Sequence, residues 1–155
     1  MKIVVDTNIV FSAILNSQGK IAQLIINGSK YFSFFSVNLL KEEVLNHKDK
    51  LLSISGLTEI QFESSFSHIA SRIKFVDGIL ISDQDLDKAT ILTQDIDEND
   101  ILFVALTNHL GAKLWTGDKK LRTGLKKKKY FRTLSTDNLY DLFIEKELRK
   151  RSTNY

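Results

Sequence analysis

The chain has no cysteine and no proline. Without thiols, disulfide staples and thiolate zinc sites are excluded. That composition fits a reducing compartment, and a cytoplasmic protein is expected. Without proline, turns can be signalled only by Gly, Asn, Asp and Ser. Long apolar runs are also missing. No window approaches the roughly 20 apolar residues of a membrane-spanning helix. The first apolar run is broken by Asp6 and Asn8 and lacks a cleavage-like end, so neither a membrane segment nor a signal peptide is expected. Internal repeats, linkers and low-complexity segments are absent as well.

What is present is ordinary in amount and uneven in distribution. The 155 residues are 43% hydrophobic and 26% charged, which suits one domain spanning residues 1–155 with a full core. The net charge is +3, but the cations are bunched. Lys119, Lys120, Arg122, Lys126, Lys127, Lys128, Lys129 and Arg132 closely follow Asp118, and Lys146, Arg149, Lys150 and Arg151 lie near the end. A basic surface next to an acidic cluster suggests a polyanion held within reach of a metal. The plainer alternative is a solvated loop and tail.

The periodicity alternates between strand and helix. Lys2 to Val5 reads as a central strand, and Ile9 to Leu15 as a helix that Thr7-Asn8 can cap. After a turn at Ser17-Gln18-Gly19, Ile21, Leu24, Ile25 and Ile26 give a second helical face. Tyr31 to Phe35 is aromatic and strand-like. Ser36 and Asn38 are capping candidates for a helix running to about Leu52, with Leu40, Val44, His47 and Leu51 on one stripe. Thr58 and Gln61 form a capping-box pattern for a helix to Arg72, with Ile60, Phe62, Phe66 and Ile69 as its apolar positions. Ile73 to Val76 predicts a strand and Asp85 to Thr93 a helix. Asp97 to Leu121 predicts a helix, a Gly turn, a strand at Lys113 to Trp115, and an acidic exit at Asp118. Leu121 to Lys129 reads as basic and ending in a loop, Thr133 to Ser135 as a brief strand, and Asp137 to Lys150 as a closing helix. This alternation argues for a parallel sheet between helical layers.

In such a sheet, strand C-termini and adjacent helix N-termini converge on one crevice. Asp6 ends the first strand, Asp118 follows a later one, and Asp100 sits in the first turn of a helix. Converging carboxylates suit Mg2+ or Mn2+, although each acid taken alone could be no more than a helix cap or dipole partner. At about 100° per residue, Glu43 falls at the edge of the Leu40/Val44/Leu51 face and Glu42 nearly opposite, so Glu43 is the ligand candidate. His47 reads as a packing residue, and His68 and His109 as helix-surface residues. Among Asp95, Asp97, Glu98 and Asp100, Asp100 is best placed, because Phe103, Val104 and Leu110 bury the adjoining face; Asp97 is second. The Thr116 hydroxyl could bond a carboxylate or a water.

Val4-Val5-Asp6-Thr7-Asn8, an acidic helix after the second strand, Asp100 followed by Phe103-Val104-Ala105-Leu106, and Leu114-Trp115-Thr116-Gly117-Asp118 together resemble the PIN-domain family over roughly residues 1–135. The resemblance implies a three-layer α/β/α sandwich with a mainly parallel sheet. It also implies a Mg2+- or Mn2+-dependent endoribonuclease, often the toxin of a VapC-type toxin–antitoxin pair and often a homodimer. Carried over by motif, the acidic quartet is Asp6, Glu43, Asp100 and Asp118, with Thr116 at a position where the family has Ser or Thr. Counting from Ser36 would instead place the family's glutamate at Glu42. RNA is then the expected substrate, contacted by Asn8, Thr116, Lys119, Lys120, Lys126 and Lys127. Two other readings compete. A HAD-like phosphohydrolase would want a second acid two positions after Asp6, where Asn8 stands. A non-catalytic nucleic-acid or protein binding module on the same fold would not need all four acids.

Overall fold

A computed structural model describes residues 1–154. Its framework is one five-stranded, all-parallel sheet. The strands are β1 (Lys2–Val5), β2 (Ser33–Val37), β3 (Ile73–Val76), β4 (Lys113–Trp115) and β5 (Thr133–Leu134), in the order β3-β2-β1-β4-β5. β1 is central because Ile3, Val4 and Val5 are all buried, as a strand covered on both faces must be. Register is fixed on either side of it: Ile3 stands opposite Phe34 of β2 and Lys113 of β4. The chain winds from β1 out to β2 and β3, then returns to place β4 on the other side of β1. The switch in winding direction therefore falls between the C-terminal ends of β1 and β4.

Helices are α1 (Thr7–Leu15), α2 (Lys20–Gly28), α3 (Leu39–Asn46), α4 (Lys48–Ser55), α5 (Glu59–Ala70), α6 (Asp83–Thr93), α7 (Ile101–Leu110), α8 (Lys119–Lys127) and α9 (Thr136–Thr153). The result is the expected α/β sandwich around a parallel sheet. α7 packs across β1, β2 and β4 and against α6, while α1 packs with α2, α3, α4 and α5, and α9 docks on α2. α7 is apolar nearly all round, with Phe103 through Thr107 buried, as a helix enclosed by a sheet and a neighbour must be. Gly56 and Gly111 end α4 and α7 in the left-handed region, at φ 69° and 61°, where a Cβ would be strained. Trp115 is core, as expected: its ring lies 5.9 Å from that of Phe34 and its Nε1 donates to Thr136 Oγ1 at 3.1 Å. Among the described residues no single helix is long and apolar enough to cross a membrane.

Several expectations need correction. α1 is capped by Asp6, not by Thr7 or Asn8. The second strand is Ser33–Val37, later than Tyr31 to Phe35, and Ser36 caps nothing: its hydroxyl donates to Val5 O at 2.7 Å. Asn38 occupies the N-cap position of α3 without a side-chain cap bond. The helix expected to reach Leu52 is broken at His47 into α3 and α4, and His47 is exposed rather than packed in the stripe. The basic stretch after Asp118 is mostly the helix α8, held down by buried Leu121 and Leu125 four residues apart. Ile60, expected at an apolar position of its helix, is 81% exposed. The capping box at Thr58 and Gln61 is present with both of its bonds.

These assignments predict opposite outcomes for two neighbouring positions of α5. Phe62 is fully buried, so Phe62→Ala should cost about 3–5 kcal/mol in urea unfolding. Ile60→Ala should change stability by less than about 0.5 kcal/mol. A large loss at Ile60 would place that face of α5 inside the core after all.

Candidate active site

The rim between β1 and β4 is built from chain exits. Directly after β1, Asp6 turns the chain into α1; its Oδ1 accepts from Ile9 N at 3.0 Å and its own N–H donates to Trp115 O at 3.3 Å. Directly after β4, Thr116 is fully buried, and its Oγ1 accepts from Asp118 N at 3.1 Å. Asp118 then caps α8, its Oδ1 accepting from Leu121 N at 3.0 Å. Asp6 and Asp118 thus stand on adjacent strands, each oriented by the helix it begins.

Asp100 reaches the same rim from α7. It ends a 3₁₀ turn, Glu98–Asp100, and occupies the N-cap position of α7, but its side chain makes no cap bond. Its Oδ2 is buried without a hydrogen-bond partner. Asp97 is exposed and caps the turn, accepting from Asn99 N at 2.9 Å. Asp95 pairs with Lys128. Glu43 on α3 is half-buried, whereas Glu42 is exposed.

Electrostatics tie these groups together. Burial pushes the Asp6 carboxyl from its ordinary 3.8 up to about 6. The Thr116 hydroxyl and the Ile9 N–H oppose the rise, and the charges of Asp118 and Glu43 add to it. Burial pushes Asp100 up to about 7, with further contributions from Asp97, Asp6, Asp118 and Glu43. Glu43 therefore faces both aspartates closely enough to repel them, and Glu42 contributes to neither. Crowded, partly buried carboxylates of this kind favour protonation until a cation relieves them.

Among the described residues no three carboxylate or imidazole groups already stand in a form that could hold a metal ion. The donor chemistry nonetheless suits a hard divalent cation: every candidate is an oxygen, and Asp100 Oδ2 is a buried acceptor with nothing to accept from. His47 Nδ1 lies 2.8 Å from Glu43 O and its ring tilts on Phe11, while His109 faces Asp85.

Of the remaining expected contacts, some begin helices at this rim and others lie away from it. Asn8 is exposed in the first turn of α1, and Lys119 and Lys120 are exposed in the first turn of α8. Two cations at a helix N-terminus oppose the helix dipole, so their placement is not explained by helix stability. Lys126 and Lys127 are exposed at the far end of α8, whereas Lys128 donates to Leu92 O at 2.8 Å and pairs with Asp95. Two residues gain weight that their types alone did not give. Thr7 has a buried Oγ1 with no partner beside Asp6, and its place in the strand-end Asp6-Thr7-Asn8 run was the available signal. Arg122 donates from Nη1 to Thr116 O at 2.7 Å, fixing a guanidinium at the β4 exit.

The raised carboxyls set the pH dependence of the metal-free fold. Asp6 and Asp100 hold protons more tightly folded than unfolded, so between their ordinary pKa and about 6 to 7 the native state binds more protons. Stability from these groups is full below about pH 4 and is lost as the pH rises through that window. Asp6→Asn keeps a capping side chain and removes the titration. Relative to wild type, the variant should gain on the order of 3 kcal/mol between about pH 4 and pH 8 in chelator. Parallel pH profiles for the two proteins would show that Asp6 is not desolvated.

Comparison with known proteins agrees with the fold. Residues 4–140 match the family model of the PIN domain. No curated protein matches the chain significantly. Among solved structures, VapBC2 from Rickettsia felis bound to a DNA fragment from its promoter is similar, at 17% identity and TM-score 0.62, covering 87% of this chain and 98% of that one. PAE2754 from Pyrobaculum aerophilum is similar at 14% identity and TM-score 0.64, covering 93% of this chain and 90% of that one. At such identities the two structures speak for the fold alone. PIN domains are generally metal-dependent nucleases. The family match begins inside β1 and ends inside α9, taking in every strand and all four acids of the rim: the chain belongs to the PIN-domain family.

Proposed function

We propose that this chain is a metal-dependent endoribonuclease whose site is Asp6, Glu43, Asp100 and Asp118, and that it acts as the toxin of a toxin–antitoxin pair. The observation that carries the reading is the placing of Asp6 and Asp118 at the adjacent exits of β1 and β4, with Asp100 Oδ2 buried and left unpartnered. The four carboxylates would hold Mg2+ or Mn2+, which when bound supplies charge neutralisation at the scissile phosphate and a water of lowered pKa. The protein's own part is orientation. The α1 and α8 caps aim Asp6 and Asp118, Thr116 braces both, and Asp100, whose carboxyl burial holds above its ordinary range, would have to be deprotonated to serve as a ligand. Asn8, Lys119 and Lys120 hold phosphates on either side of the cleaved bond, and Lys126 and Lys127 extend the basic surface. Likeness to the VapBC2 structure supports a protein antitoxin as partner. Homodimer formation is part of the same proposal and is checked by the mass of the purified protein in solution.

The decisive assay is cleavage of a mixed RNA pool with and without Mn2+. Wild type should cut only with metal. Asp118→Asn and Glu43→Gln should each lower the rate by at least ~100-fold, a loss typical of electrostatic groups at a reacting centre. Both should retain the fold, since Asn can still cap α8. Glu42→Gln should cut like wild type. Cleavage lost at Glu42 but kept at Glu43 would reverse the assignment on α3, and metal-independent cleavage would remove the quartet from the mechanism.

A further inference from the structure

Away from the acidic rim, one surface combines positive charge with a bare aromatic ring. α8 starts beside Asp118 and is the crossover that joins β4 to the parallel edge strand β5. A groove of about 360 Å³ lies there, lined by Lys119, Arg122, Lys126, Tyr130, Phe131 and Asn138 among others, with no carboxylate in its wall. The cations sit at i, i+3 and i+7, which is one stripe of a helix. Lys119 and Lys126 are exposed and enter no ion pair among the described residues. Arg122 is held at the strand exit by its bond to Thr116 O. Phe131 is 63% exposed and does not pack against the core, whereas Tyr130 beside it is half-buried and donates to Asn108 Oδ1 at 2.8 Å.

Neither feature serves the fold. Lys119 opposes the dipole of α8, and Phe131 keeps its ring in water. Both make sense for a ligand that is anionic along its length and offers flat faces. α8 has nine residues and is about 13 Å long, enough for a few nucleotides of extended strand beginning at Asp118. From this geometry we infer that the α8/β5 groove is a track for single-stranded RNA flanking the cleaved bond. Lys119, Arg122 and Lys126 meet successive phosphates, and Phe131 stacks an unpaired base at the end remote from the acids. The inference rests on the nuclease reading and adds to it a direction and a stacking residue. It also divides the lysine run, since Lys128 is occupied by Asp95 and the end of α6.

The test is fluorescence anisotropy in chelator, where cleavage does not compete, with a labelled uridine dinucleotide and a longer labelled oligouridylate. Wild type should bind the longer probe more tightly. Phe131→Ala and Phe131→Leu should each weaken the longer probe roughly ten-fold and leave the dinucleotide unchanged, and Phe131→Tyr should restore wild-type affinity. Lys126→Gln should reduce the salt slope by about one unit. Lys74→Gln, on the opposite edge of the sheet, should leave the slope unchanged. Wild-type affinity independent of length, or Phe131→Ala and Phe131→Leu binding like wild type, overturns the track. The nuclease reading fails separately: length-dependent, Phe131-sensitive binding without any metal-dependent cleavage by wild type keeps the groove and removes the chemistry.

Discussion

A carboxylate at the end of the most buried strand is the constraint around which this fold is arranged. Asp6 follows three fully buried residues of β1 and is itself only 5% exposed. Burying an ionised carboxyl without partners is costly enough that the group takes up a proton or finds donors. Asp6 does both in part: it caps α1, lies against the Thr116 hydroxyl, and has its proton affinity raised. Because β1 and β4 are neighbours, the parallel order also sets Asp118 beside it, and Thr116 contacts both acids from one position. Capping and site geometry are thus one set of bonds. Asp100 is the exception. It occupies a cap position without capping, and the oxygen this leaves free is, like Thr7 Oγ1, buried without a hydrogen-bond partner.

The architecture was legible because β1 is apolar without interruption and strands alternate with helices, which leaves few topologies once parallel crossovers are required. The misreadings have local causes. No glycine or proline marks the break at His47, so α3 and α4 read as one helix. Ile60 looks like a core residue by type, yet it lies two positions from Phe62, about 200° around the helix, and the buried Phe62 and Ile69 set the inward face. Lysine density hid the helix in Leu121 to Lys129, read only as a basic stretch ending in a loop, although Leu121 and Leu125 form an inward pair at helical spacing. Tertiary burial outweighed composition in both cases.

The positions of the acids were easier to read than the bonds around them. Asp6, Asp100 and Asp118 stand at element boundaries, where sequence alone shows strand exits and helix starts. On α3, phase relative to Leu40 and Val44 distinguished Glu43 from Glu42, and the half-buried position of Glu43 has the same phase. Arg122 and Ser36 were not legible as bracing groups, because their partners are backbone carbonyls of Thr116 and Val5 that only the folded sheet brings near. The lysine run could not be divided from sequence either, since what removes Lys128 from the free surface is the end of α6, more than thirty residues earlier.

The distribution of charge gives the last step. This chain is net positive, and Lys119 directly follows Asp118, yet none of the four acids pairs with a cation among the described residues. An ion pair would hold a carboxyl below its ordinary range; Asp6 and Asp100 are pushed the other way. Neutralising the rim internally would have stabilised the fold by consuming the acids and the adjacent lysines together. Keeping them apart leaves negative charge unrelieved at the sheet rim and positive charge unrelieved along α8. Those are the complements of a divalent cation and of a phosphodiester strand. The fold accepts repulsion at one place and an opposed helix dipole at the other, and the proposed nuclease reading accounts for both costs together, since its ligand would bring a cation and phosphates to one rim.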